Sequence, residues 1–121
     1  MAGPAAAPKL VTLARRADFL SAARARRQVR PAFTLQARRR GPDEPPAAIR
    51  IGYTCSKKVG NAVARNRAKR RLRAAARAVL PGLGQPGWDY VLIGRPRQTA
   101  THPFASLCDD LGSALRALHG A

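Results

Sequence analysis

Acidic residues are scarce in this chain: six Asp plus Glu stand against 23 Lys plus Arg over 121 residues, a formal net charge of +17. So few carboxylates leave little from which a protein-borne metal nuclease is built, since such a site needs clustered acids to hold metal ions or to act as acid and base. The six are Asp18, Asp43, Glu44, Asp89, Asp109 and Asp110, and the two adjacent pairs fall in an expected loop and on an expected helix, where neighbours point to different sides. His102 and His119 flank that helix and make no metal-ligand spacing with either cysteine, so no protein metal site and no catalytic residue is expected. Aromatics are also few, at 5% of residues, so the core must rest on a limited set of Leu, Ile, Val and Phe. There are two cysteines, Cys55 and Cys108, without C-x-x-C spacing; one disulfide is possible on paper, but two reduced, buried thiols are the expectation for a chain without an export signal. Long apolar runs are missing: nothing approaches the roughly 18 residues of a membrane span. Met1 to Pro8 has no positive segment ahead of an apolar run, which points to the cytoplasm.

The positive charge is therefore the dominant global signal. Such self-repulsion makes sense beside a polyanion, where neutralised phosphates release condensed counterions. An anionic membrane would favour one basic amphipathic helix. Here Arg38, Arg39, Arg40, Arg50, Arg95 and Arg97 lie on expected strands and loops instead, which favours nucleic acid. The length suits one domain. Residues 1–9, rich in Ala, Gly and Pro, read as a disordered tail, leaving 10–121 as a single RNA-binding domain.

Within that domain a short helix is expected from about Arg15 to Arg27. Period-two alternation marks a strand from Pro31 to Arg38, with Phe33, Leu35 and Ala37 on one side, and a second in Ile49, Ile51 and Tyr53. The cluster from Gly41 to Pro46 between them predicts an antiparallel hairpin. A helix follows from Asn61 to Leu80, stopped by Pro81 and a glycine-rich run. Tyr90 to Ile93 read as a strand buried on both faces. A last helix runs from about Pro103 to Leu118, capped by Thr101 or His102, its stripe of Phe104, Leu107, Cys108, Leu111, Leu115 and Leu118 facing the sheet. The order α-β-β-α-β-α defines an α/β (α+β) two-layer sandwich with a small sheet.

On a helical wheel, Ala64, Ala68, Leu72, Ala75 and Val79 form the core face of the central helix, while Arg65, Asn66, Arg67, Lys69, Arg70, Arg71, Arg73 and Arg77 fill the opposite arc. No acid interrupts that arc. The helix gives up the Glu–Lys support of an ordinary exposed helix, and guanidinium forks matched to phosphate oxygens are the natural compensation. Upstream, Ser56-Lys57-Lys58-Val59-Gly60-Asn61 joins strand to helix, with Gly60 free to take a positive φ and backbone N–H groups exposed at the helix start. The G-x-x-x-x-G-K-[ST] spacing of a nucleotide loop is absent, which excludes an NTPase of that type.

The run from Ser56 to Arg73, SKKVGNAVARNRAKRRLR, closely resembles the signature of the bacterial ribonuclease P protein subunit, in which an R-N-R core is followed by basic residues. The likeness extends more loosely to Ala17-Asp18-Phe19, to Phe33-Thr34-Leu35, to Arg50-Ile51-Gly52-Tyr53 and to the segment from Asp89 to Arg95. It implies a non-catalytic protein component of a ribonucleoprotein endoribonuclease. Its partners would be the catalytic ribonuclease P RNA and precursor tRNA, with no protein partner and no membrane required. Mg²⁺, held mainly by the RNA, would serve hydrolysis of the bond to the 5′ leader. By the same resemblance Lys57, Lys58, Asn61, Arg65, Asn66, Arg67, Lys69, Arg70, Arg71 and Arg73 would contact RNA, and Phe19, Phe33 and Tyr53 would lie in or near a leader cleft between the sheet and the first helix. Phe19 and Phe33 also fit plain core positions. Many family members carry further aromatics where this chain has Ala23 and Gln36, which places leader stacking differently here. The resemblance also implies a left-handed βαβ crossover around the R-N-R helix, against the general right-handed rule. The alternative is a structural RNA-binding protein, ribosomal or chaperone-like, with no part in cleavage.

Overall fold

The computed structural model describes residues 9–41 and 48–120. The expected tail falls mostly outside these residues, as does most of the turn from Gly41 to Pro46. Lys9, assigned to the tail, is already tied to the fold: its carbonyl accepts from Ile49 N–H at 3.0 Å.

Five strands form one sheet: β1 (Leu10–Thr12), β2 (Arg26–Arg30), β3 (Phe33–Arg39), β4 (Ile49–Thr54) and β5 (Trp88–Gly94), in the spatial order β1-β4-β5-β3-β2. The helices are α1 (Arg16–Ala23), α2 (Ala62–Leu83), α3 (Gln98–Thr101) and α4 (Phe104–His119), with a short 3₁₀ turn at Lys57–Val59. The α/β sandwich is as expected, and two further strands complete it. β1 adds a parallel edge strand to β4, and β2 pairs antiparallel with β3.

The expected hairpin between Pro31–Arg38 and Ile49–Tyr53 does not form. β5 lies between those strands, antiparallel to β3 and parallel to β4. The reason is burial. Tyr90, Val91 and Leu92 are at most 2% exposed, and only the central position of a sheet covered on both faces buries both sides of a strand. The true hairpin is β2–β3, turning through Pro31 and Ala32. The N-terminal helix therefore ends at Ala23, where the sequence predicted a continuation to Arg27.

Alternate residues divide the core in two. Phe33, Leu35, Ala37, Ile49, Ile51, Tyr90 and Leu92 face α2 and α4, which supply Ala68, Leu72, Ala75, Ala76 and Leu80, and Leu107, Leu111 and Leu115. On the other face Val91 packs with Leu13 and Ala22, and Phe19 and Ile93 join them. The α1 helix thus lies across the face opposite α2.

Two helix ends differ from expectation. The α2 helix continues two residues past Pro81, its end closed by Gly84 N–H donating to Leu80 O at 2.7 Å; a proline near the last turn removes one donor without ending the helix. Neither Thr101 nor His102 caps α4, whose N-cap is Pro103. Both belong to the end of α3, and Thr101 Oγ1 donates to Arg97 O at 2.9 Å. Cys55 and Cys108 are free thiols; Cys55 is buried and Cys108 half-buried, short of the full burial expected. Burial pushes both thiols' pKa values up.

Candidate nucleic-acid interface

The link from β4 into α2 is held locally. Ser56 Oγ accepts from Lys58 N–H at 3.3 Å, and Gly60 adopts φ 141°, where a Cβ would stand 2.8 Å from Ala64 Cβ. Asn61 is the N-cap of α2, its Oδ1 accepting from Ala64 N–H at 3.0 Å. Lys57 and Lys58 are both exposed at this turn. Asn61 therefore has a structural task, and its amide nitrogen is left to meet an outside group.

Along α2, Asn66, Arg67, Arg70 and Arg77 are exposed and Lys69 and Arg73 half-buried. No acid occurs between Ala62 and Leu83. Besides Arg73, which lies half-buried over the Tyr53 ring, two arginines depart from the expected outward arc. Arg65 is half-buried, and its charge and that of Lys69 both bear on the Cys55 thiol at the end of β4. Its position lies one turn before Lys69 and close to the direction of Leu72 and Ala76. Arg71 turns the other way: its Nε donates to Thr99 O at 2.9 Å and its Nη2 to His102 O, fastening α3 to α2. Both misplacements share a cause. The core face is wider than the five-residue stripe, since Ala76 and Leu80 are fully buried while Ala64 and Val79 are half-buried.

The three aromatics expected to line one cleft do not share a face. Phe33 is 1% exposed in the core beneath α2 and α4. Tyr53 is half-buried on that same α2 face, with the Arg73 guanidinium 5.3 Å from its ring centroid. Phe19 alone lies on the α1 face. There the open sheet surface carries Val29, at 49% exposure, with half-buried Thr34, Gln36 and Ile93. Reading Thr34 and Gln36 as the outward half of an alternating strand gives that surface; what the alternation lacks is which face α1 takes.

At one end of the α1 face is a buried carboxylate. Asp89 is 0% exposed and accepts from Arg40 Nη1, Arg50 Nε and Arg50 Nη2, each at 2.7 Å. Arg38 Nη2 lies 3.5 Å from its other side, and Arg50 also reaches Asp18 at 3.5 Å. This network joins β3, β4 and β5 to α1. Asp110 meets His102 at 3.0 Å. Among the described residues no three His, Cys, Asp or Glu side chains cluster as a metal site, and no helix is long and apolar enough to cross a membrane.

A sheet with an acid-free cationic helix packed beside it and a lysine-bearing turn at that helix's start defines a small basic α/β protein of the nucleic-acid-binding class. Comparison with known proteins narrows this. The Ribonuclease P family model matches residues 7–119. A ribonuclease P protein component of Ruegeria pomeroyi is 66% identical over 107 residues, covering 88% of this chain and 85% of that protein. One from Caulobacter vibrioides is 49% identical over 110 residues, covering 91% and 72%. Among solved structures, the ribonuclease P protein of Thermotoga maritima superposes with a TM-score of 0.67 at 25% identity, over 84% of this chain and 91% of that one. The Staphylococcus aureus ribonuclease P protein has the same fold, with a TM-score of 0.68 at 21% identity over 88% and 94%. The chain belongs to the ribonuclease P protein family, the protein components of a tRNA-processing ribonuclease that works with an RNA partner.

Proposed function

We propose that this chain is the non-catalytic subunit of a cytoplasmic ribonuclease P. In this role residues 10–121 act as a single RNA-binding domain, docking on the catalytic RNA and holding the 5′ leader of precursor tRNA while the RNA removes it. The observation that carries the reading is the outer surface of α2, where Asn66, Arg67 and Arg70 are exposed, with Arg73 half-buried at its edge, and no acid lies along the helix. Lys57, Lys58 and the Asn61 amide extend that surface over the preceding turn, and Arg65 and Lys69 flank it at the sheet's end. Arg71 contributes charge from a fixed position beside α3.

The leader lies along the α1 face. Phe19 supplies the aromatic edge there, and Val29, Thr34 and Gln36 supply the floor. A single strand is held in this way by apolar and stacking contacts beside a basic surface, with little sequence demand. Phe33 and Tyr53 take no part in that cleft, because both face α2.

Among the described residues the donor set does not suit Mg²⁺, since no three His, Cys, Asp or Glu side chains cluster. Asp89 and Asp18 are engaged by arginines and Asp110 by His102. The metal ions of the reaction belong with the RNA in this account, and no step runs through a protein-held ion.

The test is affinity for a transcribed bacterial ribonuclease P RNA measured across a salt series. A protein contacting several phosphates gives log K falling linearly with log salt, by roughly 0.7 to 0.9 per phosphate neutralised. Affinity that is weak and insensitive to salt would remove the proposed interface.

A further inference from the structure

The β1 and β4 strands form one edge of the sheet, and α2 passes beside it. Between them lies a hollow of about 90 Å³, lined by Leu10, Thr12, Ile51, Tyr53, Arg73 and Arg77. At about 30 Å³ per water this is room for roughly three waters. The space has room for one tetrahedral oxyanion. Leu10 and Ile51 give an apolar floor; the rest of the lining is donors.

Those donors are unoccupied by protein. Among the described residues neither Arg73 nor Arg77 makes an ion pair, and neither the Tyr53 hydroxyl nor the Thr12 hydroxyl has a hydrogen-bond partner. Arg73 rests over the Tyr53 ring, which holds the guanidinium at the mouth of the hollow by cation–π attraction. Burial pushes the Tyr53 pKa up, against the opposing pull of Arg73 and Arg77, so the phenol stays protonated at neutral pH. Two positive charges, one of them held over the Tyr53 ring, and two O–H groups thus line one space with no acid among its lining residues.

We propose that this hollow is a phosphate subsite for the RNA partner, in which Arg73 and Arg77 pair with the oxygens of one backbone phosphodiester and the Tyr53 hydroxyl donates to it. The proposal rests on the RNA-binding reading above and adds a location to it. The interface is not confined to the outer arc of α2 but continues over the β1 side to the sheet edge. A phosphate contact carries no base information, so the subsite sets the register of the RNA on the protein.

Tyr53→Phe and Arg77→Gln, made in the full chain, test it; the first keeps the ring beneath Arg73 and removes only the hydroxyl. Affinity for transcribed bacterial ribonuclease P RNA is measured across a salt series, with circular dichroism to show each variant folded. Tyr53→Phe is expected to weaken binding about tenfold to a hundredfold, the range for losing a hydrogen bond to a charged group. Arg77→Gln is expected to lower the salt slope by about one. If both variants bind as wild type while Arg67→Ala and Arg70→Ala are weakened, the subsite is wrong and the RNA-binding reading stands. If the wild-type chain does not bind this RNA, both fall. In a second arm, inorganic phosphate is titrated against the free protein while the Tyr53 ring resonances are followed. A saturable shift lost in Arg77→Gln, alongside unchanged RNA affinity, would assign the hollow to free phosphate and overturn the proposal.

Discussion

Gly52 lies directly beneath the ring of Phe19: a Cβ placed on residue 52 would stand 2.5 Å from Phe19 Cε1 and 2.6 Å from Cζ. A glycine within a strand marks a close approach of this kind, and this one lets α1 settle on β4 next to the Asp18–Arg50 contact. Gly52→Ala is therefore expected to lift the ring and destabilise the fold by about 1–3 kcal/mol, the usual cost of overpacking. A urea melt measures it. An unchanged midpoint would mean that α1 does not rest on β4 in solution.

Asp89→Asn removes the charge that Arg40 and Arg50 enclose. Breaking a buried ion pair from one side leaves a buried cation undercompensated and costs about 3–5 kcal/mol. Chemical denaturation is expected to show a loss in that range, with α1 loosened as Arg50 shifts. A loss under about 1 kcal/mol would contradict the burial of this network.

Arg71→Ala and Arg70→Ala are expected to separate cleanly although the residues are adjacent. Arg71 holds Thr99 O and His102 O, so its loss lowers the melting midpoint. Arg70 is exposed, so its loss leaves stability within about 0.5 kcal/mol and lowers the salt slope of RNA binding by about one. Equal effects of the two on stability would count against the placement of Arg71 beside α3.

His119 gives a pH prediction. Its Nε2 is 2.7 Å from the Tyr90 hydroxyl and its ring meets Trp88 edge-on, with Arg26 over the same tryptophan. Burial first, and then the Arg26 charge, lower its pKa from the ordinary value of 6.5. The unfolded chain thus takes up the proton before the folded one does. The stabilisation is whole above about pH 6.5 and declines as pH falls below it. Thermal melts from pH 8 to pH 5 are expected to show that decline, and His119→Gln to lessen it; an identical pH profile in the variant would exclude His119 as its source.

The sequence was most legible where a pattern is local and long. The α2 helix, the alternation of β3 and the apolar run of β5 all appear in the residues themselves. β1 has only three residues, too few to carry a period, and β2 is the charged run RRQVR with mostly exposed or half-exposed side chains, which reads as a helix continuing from α1. Strand order is a property of pairing between distant segments: nothing near Phe33 announces that Gly94 is its neighbour. The same limit governs the site. The basic arc of α2 was visible on a wheel, but that Arg71 grips α3, that Arg65 is half-buried, and that Phe19 and Tyr53 lie on opposite faces depends on where other elements pack.

The central claim is tested most directly by cleavage of a precursor tRNA by a bacterial ribonuclease P RNA at low Mg²⁺, with the protein, without it, and with the protein alone. The account predicts strong stimulation when RNA and protein are combined and no cleavage by the protein alone. Cleavage by the protein alone, or no stimulation of a cognate RNA that the protein binds, would contradict it.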